Sequence, residues 1–266
     1  MILSDGFSLF GLEIKFYGLI IAIGMLVAIM VVCKIAKHRG LKSDDIYVIA
    51  LYAIPLAIIG ARIYYVLFSD NTFTFWEVFQ IWKGGMAIYG GVIGGALGVV
   101  LYCIIHKKNF LAVADIAVVG LILGQSIGRI GCYFADCCYG VEVTNPSLMW
   151  FPLSTEINGI WHFSTFFYES FCDFIIFIVL HLLLSKKIKL NGIITGLYFV
   201  FYGFARCIIE QFRGDSLYFL GMKVSQLLSL ILMIAGIILI VVIYTIRARK
   251  DKKVNIVEDN NTNKNF

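Results

Sequence analysis

Seven apolar runs partition this sequence, each long enough to cross a bilayer as a helix, with short polar connections between them. At 1.5 Å rise per residue a span needs about 20 residues. Such runs cover residues 14–32, 47–68, 86–105, 111–134, 163–184, 193–212 and 224–244. This pattern predicts an all-α integral membrane protein with seven transmembrane helices. A single transmembrane domain then occupies residues 1–246, and the polar segment 247–266 reads as a disordered cytoplasmic tail.

The cations in the connections set the expected orientation, because short cytoplasmic loops are enriched in Lys and Arg. Lys34, Lys37, Arg39 and Lys42 follow the first run, Lys107 and Lys108 the third, Lys186, Lys187 and Lys189 the fifth, and Arg247 to Lys253 the seventh. The alternate connections lack such clusters. The N-terminus is therefore expected outside and the C-terminus in the cytoplasm. Two outer connections exceed simple turns. Residues 69–85 carry Phe73, Phe75, Trp76, Phe79 and Trp82, a density that suits an interfacial helix; residues 141–161 read as an excursion of irregular structure. No repeat relates two halves of the chain.

Composition sharpens this picture. Hydrophobic residues make up 60% of the chain and charged residues 15%, which excludes an ordinary soluble domain. The net charge of +5 lies in the loop clusters that topology explains, so no nucleic-acid partner is expected. Four of the seven cysteines, Cys33, Cys103, Cys172 and Cys207, sit inside apolar runs as small hydrophobes. The N-terminus lacks a basic n-region, so its first run is read as a retained span.

Candidate chemistry gathers around the end of the fourth run. Arg129 stands there among Gly124, Gly128, Gly131 and Gly140, followed by Cys132, Cys137 and Cys138. A cation inside a membrane span calls for a partner, a cavity or a ligand. Arg62 in the second run and Arg206 in the sixth fall in the same expected outer half. Glu210, four residues beyond Arg206, shares its helical face as an ion-pair partner. Arginine grips phosphate through a planar fork of donors, so converging arginines suit a phospholipid headgroup. The third run opens with Tyr89 among Gly84, Gly85, Gly90, Gly91, Gly94 and Gly95. These glycines allow close helix packing or approach of a ligand, and Gly90 and Gly91 are candidate substrate contacts.

In the order Phe16-Tyr17-Gly18-Leu19, Gly60-Ala61-Arg62, Gly84 to Gly94, Gly128-Arg129-Ile130-Gly131, Tyr168-Glu169, Phe204-Ala205-Arg206 to Asp215, and Ser225-Gln226-Leu227-Leu228-Ser229, the chain resembles the prolipoprotein diacylglyceryl transferase family. The resemblance implies a bacterial multi-pass cell-membrane enzyme whose site faces the outer leaflet. It implies transfer of a diacylglyceryl group from phosphatidylglycerol to the lipobox cysteine in a prolipoprotein signal peptide, with release of glycerol phosphate. On matching positions it implies Arg129 and Arg206 as essential arginines, Tyr17 as a site residue and Gly140 as a structural glycine, with Arg62 and Glu210 as further headgroup contacts. No cofactor is implied.

The chain also departs from the family's pattern. Tyr89 stands where the family has a histidine and is the catalytic candidate there, although a tyrosine with an ordinary pKa near 10 is a poor base. Cys132 and Cys137 replace an Asn and a Glu. His162 is displaced by one position from the family's histidine. A disulfide from Cys132 to Cys137 or Cys138 leads the readings of the thiols. Packed free thiols, metal binding and transient lipid acceptance remain open, and three thiols without clustered histidines are an incomplete zinc set, so no metal is expected. The departures also keep two alternatives in view: a paralogous transferase with another acceptor, and a non-catalytic phospholipid-binding or flipping protein.

Overall fold

A bilayer core offers no water to backbone N–H and C=O groups, so an apolar run crosses it by pairing those groups within a helix. The computed structural model describes residues 6–9, 12–69, 72–81, 84–135, 137–185, 188–214, 218–219 and 222–262. Each of the seven apolar runs is a helix long and apolar enough to span: α1 (Phe16–Ile35), α2 (Ser43–Phe68), α4 (Ile88–Ile105), α5 (Phe110–Gly131), α6 (Thr165–Ser185), α7 (Ile193–Ile209) and α8 (Val224–Thr262). A one-turn helix, α3 (Phe75–Val78), lies in the aromatic connection. Among the described residues there are also three antiparallel hairpins, β1–β2 (Gly6–Leu9, Leu12–Lys15), β3–β4 (Ser154–Ile157, Ile160–Phe163) and β5–β6 (Tyr218–Phe219, Met222–Lys223).

Local chemistry sets the helix boundaries. The Lys42 N–H donates to Asp45 Oδ2 at 2.8 Å at the start of α2, and the Thr74 N–H to Glu77 Oε2 at 2.8 Å at the start of α3, satisfying backbone donors that the first turns leave over. Two features differ from the sequence reading. Residues 154–163 form a hairpin rather than an irregular excursion, closed by Asn158 and Gly159 at φ +51° and +83°. That Asn-Gly pair with both φ positive is the turn that a two-residue hairpin favours. Helix α8 also continues through residues 247–262, where the sequence reading puts a disordered tail. Lys, Arg and Glu in that stretch carry little helix penalty beyond an already formed span.

The chain divides into two compact units, Ile29–Ala117 and the combination of Met1–Ala28 with Val118–Phe266. In the first, α2 and α4 pack along a glycine seam. A Cβ added to Gly90 would fall 2.2 Å from the Gly60 carbonyl oxygen, one on Gly94 2.1 Å from the Leu56 oxygen, and one on Gly98 2.6 Å from the Ala53 Cα. Glycines four residues apart thus bring the two backbones into contact, the usual route to tight association where lipid supplies no hydrophobic drive. Asp45 accepts from Tyr102 Oη at 2.8 Å and Lys108 Nζ at 3.0 Å, and buried Arg39 pairs with buried Asp115 at 3.0 Å.

In the second unit, α5 and α6 are tied by reciprocal bonds: Ser126 Oγ donates to the Ser170 carbonyl at 2.8 Å and Ser170 Oγ to the Ser126 carbonyl at 2.7 Å. Tyr198 Oη of α7 donates to Gln125 Oε1 of α5 at 3.0 Å. Helices α7 and α8 close on each other at Gly196 and Gly236, where a Cβ on Gly236 would lie 2.6 Å from the Gly196 oxygen. These contacts bring the ends of α5 and α7 to the beginning of α6.

Candidate active site

Five charged side chains meet at that junction. Arg129 lies in the last turn of α5, Arg206 in the last turn of α7, Glu210 and Arg213 just beyond it, and Glu169 near the start of α6. The signs of Arg129, Arg206 and Glu169 match the helix dipoles, which favour cations at C-termini and anions near N-termini; Glu210, an anion at the end of α7, is balanced by Arg206 instead. Arg129 Nε pairs with Glu169 Oε2 at 2.6 Å, Arg206 Nη1 with Glu169 Oε1, and Arg206 Nη2 with Glu210 Oε2 at 2.8 Å. Arg213 Nη1 approaches Glu169 Oε1 at 3.9 Å. Glu169 is thus the hub of three guanidiniums. Its side chain is 5% exposed and that of Glu210 1%, whereas the guanidinium-bearing side chains are 11–19% exposed. The buried carboxylates hold the forks from below while the cations retain a route to the surface.

The thiols border this network. Among the described residues, the Sγ atoms of Cys132, Cys137 and Cys138 all lie within 4.8 Å of one another, and all three cysteines are free. Cys137 N–H donates to the Cys132 carbonyl at 3.2 Å, wrapping the chain back after α5. Cys138 has φ +60°, a left-handed conformation costly for a side chain with a Cβ, and its carbonyl accepts from Thr165 Oγ1 at 2.6 Å. Arg213 Nη2 and Arg129 Nη1 reach its sulfur at 3.3 and 3.7 Å. Hydrogen bonds from Cys132 and Cys137, followed by the two guanidiniums, hold the Cys138 thiol well below the ordinary thiol range. Sharing those bonds raises Cys132.

Comparison with known proteins decides what this arrangement belongs to. A family model for prolipoprotein diacylglyceryl transferase matches residues 5–242. The chain belongs to the prolipoprotein diacylglyceryl transferase family. It is 40% identical over 253 residues to phosphatidylglycerol–prolipoprotein diacylglyceryl transferase 1 of Clostridium perfringens, covering 93% of this chain and 96% of the relative. It is likewise 40% identical to the transferase of Finegoldia magna, covering 88% and 92%, and to that of Clostridioides difficile, covering 87% and 92%.

Within this prolipoprotein diacylglyceryl transferase family member, the residues singled out from sequence take different places. Arg129, Arg206 and Glu210 come together. Tyr17, half-exposed at the start of α1, stands against Gly131, where an added Cβ would meet its ring at 3.2 Å, within electrostatic range of Arg129 and the three thiols. Gly140 donates its N–H to the Phe163 carbonyl at 2.7 Å and bridges to Arg213; an added Cβ would lie 2.7 Å from both Phe163 Cβ and the Phe212 oxygen. That crowding makes it a structural glycine positioning Arg213. His162 Nδ1 lies 3.2 Å from the Gly140 carbonyl and its ring packs on Tyr139, a local structural setting.

Within the unit Ile29–Ala117, Arg62 is held by the backbone of the connection that follows α2. Its guanidinium donates to the carbonyls of Glu77, Val78, Gly84 and Gly85 at 2.5–2.9 Å, and lies 5.7 Å from the ring centroids of Tyr65 and Phe73. Four backbone acceptors compensate its burial and order the aromatic connection. Gly90 is consumed by packing on Gly60, while a Cβ added to Gly91 would meet the Ala61 Cβ at 3.6 Å and the Ala57 oxygen at 3.7 Å. Tyr89 is exposed beside Tyr64, with ring centroids 6.1 Å apart.

Sequence reasoning left four participants out of the site: Glu169, Asp173, Tyr202 and Arg213. Asp173 and Tyr202 line a small cavity with Glu169 and Arg206. Their signal was present, because Glu169 and Asp173 recur at i, i+4 inside an apolar run, where ionisable residues are costly without a purpose.

Proposed function

We propose that the protein transfers a diacylglyceryl group from phosphatidylglycerol to the lipobox cysteine of a prolipoprotein, with glycerol phosphate as the leaving group. Family membership across most of the chain supports the activity, and the Arg129–Glu169–Arg206 network is the observation that carries its placement. The reaction is a displacement at the glycerol carbon: the acceptor sulfur forms a C–S bond as the C–O bond to phosphate breaks. Charge accumulates on the departing phosphate oxygen, so donors fixed there lower the barrier more than they stabilise the resting lipid.

Arg129 and Arg206 meet that requirement. Each guanidinium has five donors, and Glu169, Glu210 and Cys138 take only part of each fork. The remaining N–H groups face no reorganisation when phosphate arrives, because Glu169 and Glu210 already fix the planes. Tyr17 supplies a hydroxyl at the edge of the same network. The nucleophile needs modest help, since an ordinary thiol with pKa near 8.5 is a few per cent thiolate at neutral pH.

The loop cations support an N-terminus outside and a C-terminus in the cytoplasm. The ends of α5 and α7 and the beginning of α6 then face the outer leaflet of a bacterial cell membrane. Both substrates would be met there: the lipid laterally and the prolipoprotein signal peptide at the same face. The deciding experiment incubates the purified protein with phosphatidylglycerol labelled in its acyl chains and glycerol headgroup, together with a lipobox peptide. Labelled peptide with equimolar glycerol phosphate is expected. Glycerol phosphate without lipidated peptide would assign a different acceptor, and neither product would refute catalysis.

A further inference from the structure

In the charged network, Glu169 and Glu210 are engaged by guanidiniums, and guanidiniums do not accept protons. The cysteines beside it offer another way to make a thiolate. We propose that Cys132, Cys137 and Cys138 bind one zinc ion whose fourth position takes the acceptor thiol and presents it, as a thiolate, to the phospholipid. This rests on the transferase reading above.

The geometry is suitable on three counts. A tetrahedral zinc with Zn–S bonds of about 2.3 Å separates its sulfurs by about 3.8 Å, and the three Sγ atoms here already fall within 4.8 Å of one another. Small side-chain rotations close that difference. Next, the backbone is arranged for convergence: the Cys137 N–H to Cys132 carbonyl bond turns the chain back, and the left-handed Cys138, held by Thr165, brings the adjacent cysteine to the same point. Finally, the second shell suits bound thiolate, because Arg213 and Arg129 both direct N–H groups at the Cys138 sulfur. Donors to a ligating atom orient it and temper its charge.

The number of ligands matters more than their closeness. Structural zinc sites are closed by four protein ligands, whereas catalytic sites have three and leave a position for water or substrate. Among the described residues, the group contains three cysteines and no histidine or carboxylate. Zinc favours sulfur, and a coordinated thiol is deprotonated outright. The balanced step follows. The acceptor R–SH replaces zinc-bound water and loses its proton to solvent; its sulfur lone pair forms the C–S bond; the C–O electron pair leaves with glycerol phosphate beside Arg129 and Arg206. Zinc retains its oxidation state, so no oxidant or reductant is needed. The resulting thioether is a weak ligand and dissociates.

The test measures metal before turnover. Protein purified in detergent under reductant is expected to hold about one zinc per chain, released by a mercurial thiol reagent. Cys137→Ser and Cys138→Ser, each verified as folded by its helical circular dichroism, are expected to hold less than a tenth as much. Replacing zinc by cobalt(II) should give a thiolate-to-metal charge-transfer band. A lipobox peptide should then shift the cobalt d–d bands, and the same peptide with serine for cysteine should not. A disulfide among the three, three freely alkylated thiols with no metal, or zinc undiminished in both variants would overturn the proposal. So would cobalt bands indifferent to the peptide, or full transfer by metal-free protein. Zinc bound with the spectral response but without lipid transfer would sustain the site and fail the transferase reading instead.

Discussion

Arg129 Nε sits 2.6 Å from Glu169 Oε2, joining the last turn of α5 to the beginning of α6 through two side chains that are 19% and 5% exposed. Neither charge is easily tolerated alone at this depth. Breaking a buried pair by removing one member costs about 3–5 kcal/mol, because the other remains desolvated. Glu169 also serves Arg206, so its loss strands more than one cation. Glu169→Ala is expected to lower the detergent melting temperature and abolish transfer, whereas Glu169→Gln should retain more stability than activity. Thermal unfolding beside the transfer assay separates the two; parental transfer by Glu169→Gln would deny the carboxylate an electrostatic role.

Arg129→Ala and Arg206→Ala are each expected to reduce transfer by about 10²-fold or more, the usual scale for removing a fixed donor to developing negative charge. Membrane insertion should persist, since neither substitution removes a span. Lysine variants should recover little, because a point charge cannot share a planar fork between carboxylate and phosphate. Steady-state kinetics with phosphatidylglycerol as the varied substrate checks this, and turnover within twofold of the parent would overturn the assignment.

The helices were legible because the solvent imposed them: an apolar run of sufficient length has no other way to satisfy its backbone. The convergence of Arg129 with Arg206 followed from their positions at the ends of alternate spans. Glu169 as the hub did not follow, because its partners come from helices far away in sequence. The partners of Arg62 were hidden for a related reason. Its acceptors are backbone carbonyls of the connection after α2, which no residue type announces. The 154–163 hairpin could have been found from Asn158-Gly159, but hydrophobic length was the wrong period for a four-residue strand.

Arg62→Met should loosen residues 74–85 without acting selectively on phospholipid affinity. Four carbonyl acceptors would lose their donors while the aliphatic volume is largely retained. Limited proteolysis is expected to cut that connection several-fold faster. A raised KM for phosphatidylglycerol with unchanged protease resistance would return Arg62 to the headgroup.

Gly94→Leu should separate α2 from α4. Even a Cβ would stand 2.1 Å from the Leu56 oxygen, and backbone has no rotamer with which to yield. Loss of folded protein on detergent extraction is expected, while Gly91→Ala, where neighbours begin at 3.6 Å, should be tolerated. Comparable yields from the two variants would contradict the seam.

The reciprocal Ser126 and Ser170 bonds have a mechanical meaning. Ser126 precedes Arg129 by less than one turn, and Ser170 is the residue after Glu169. Sliding α5 along α6 would break two hydrogen bonds in a medium with no water to replace them. The Arg129–Glu169 pair is therefore mounted on a joint that resists shear, and any movement around it falls to the elements that are not stitched to that joint.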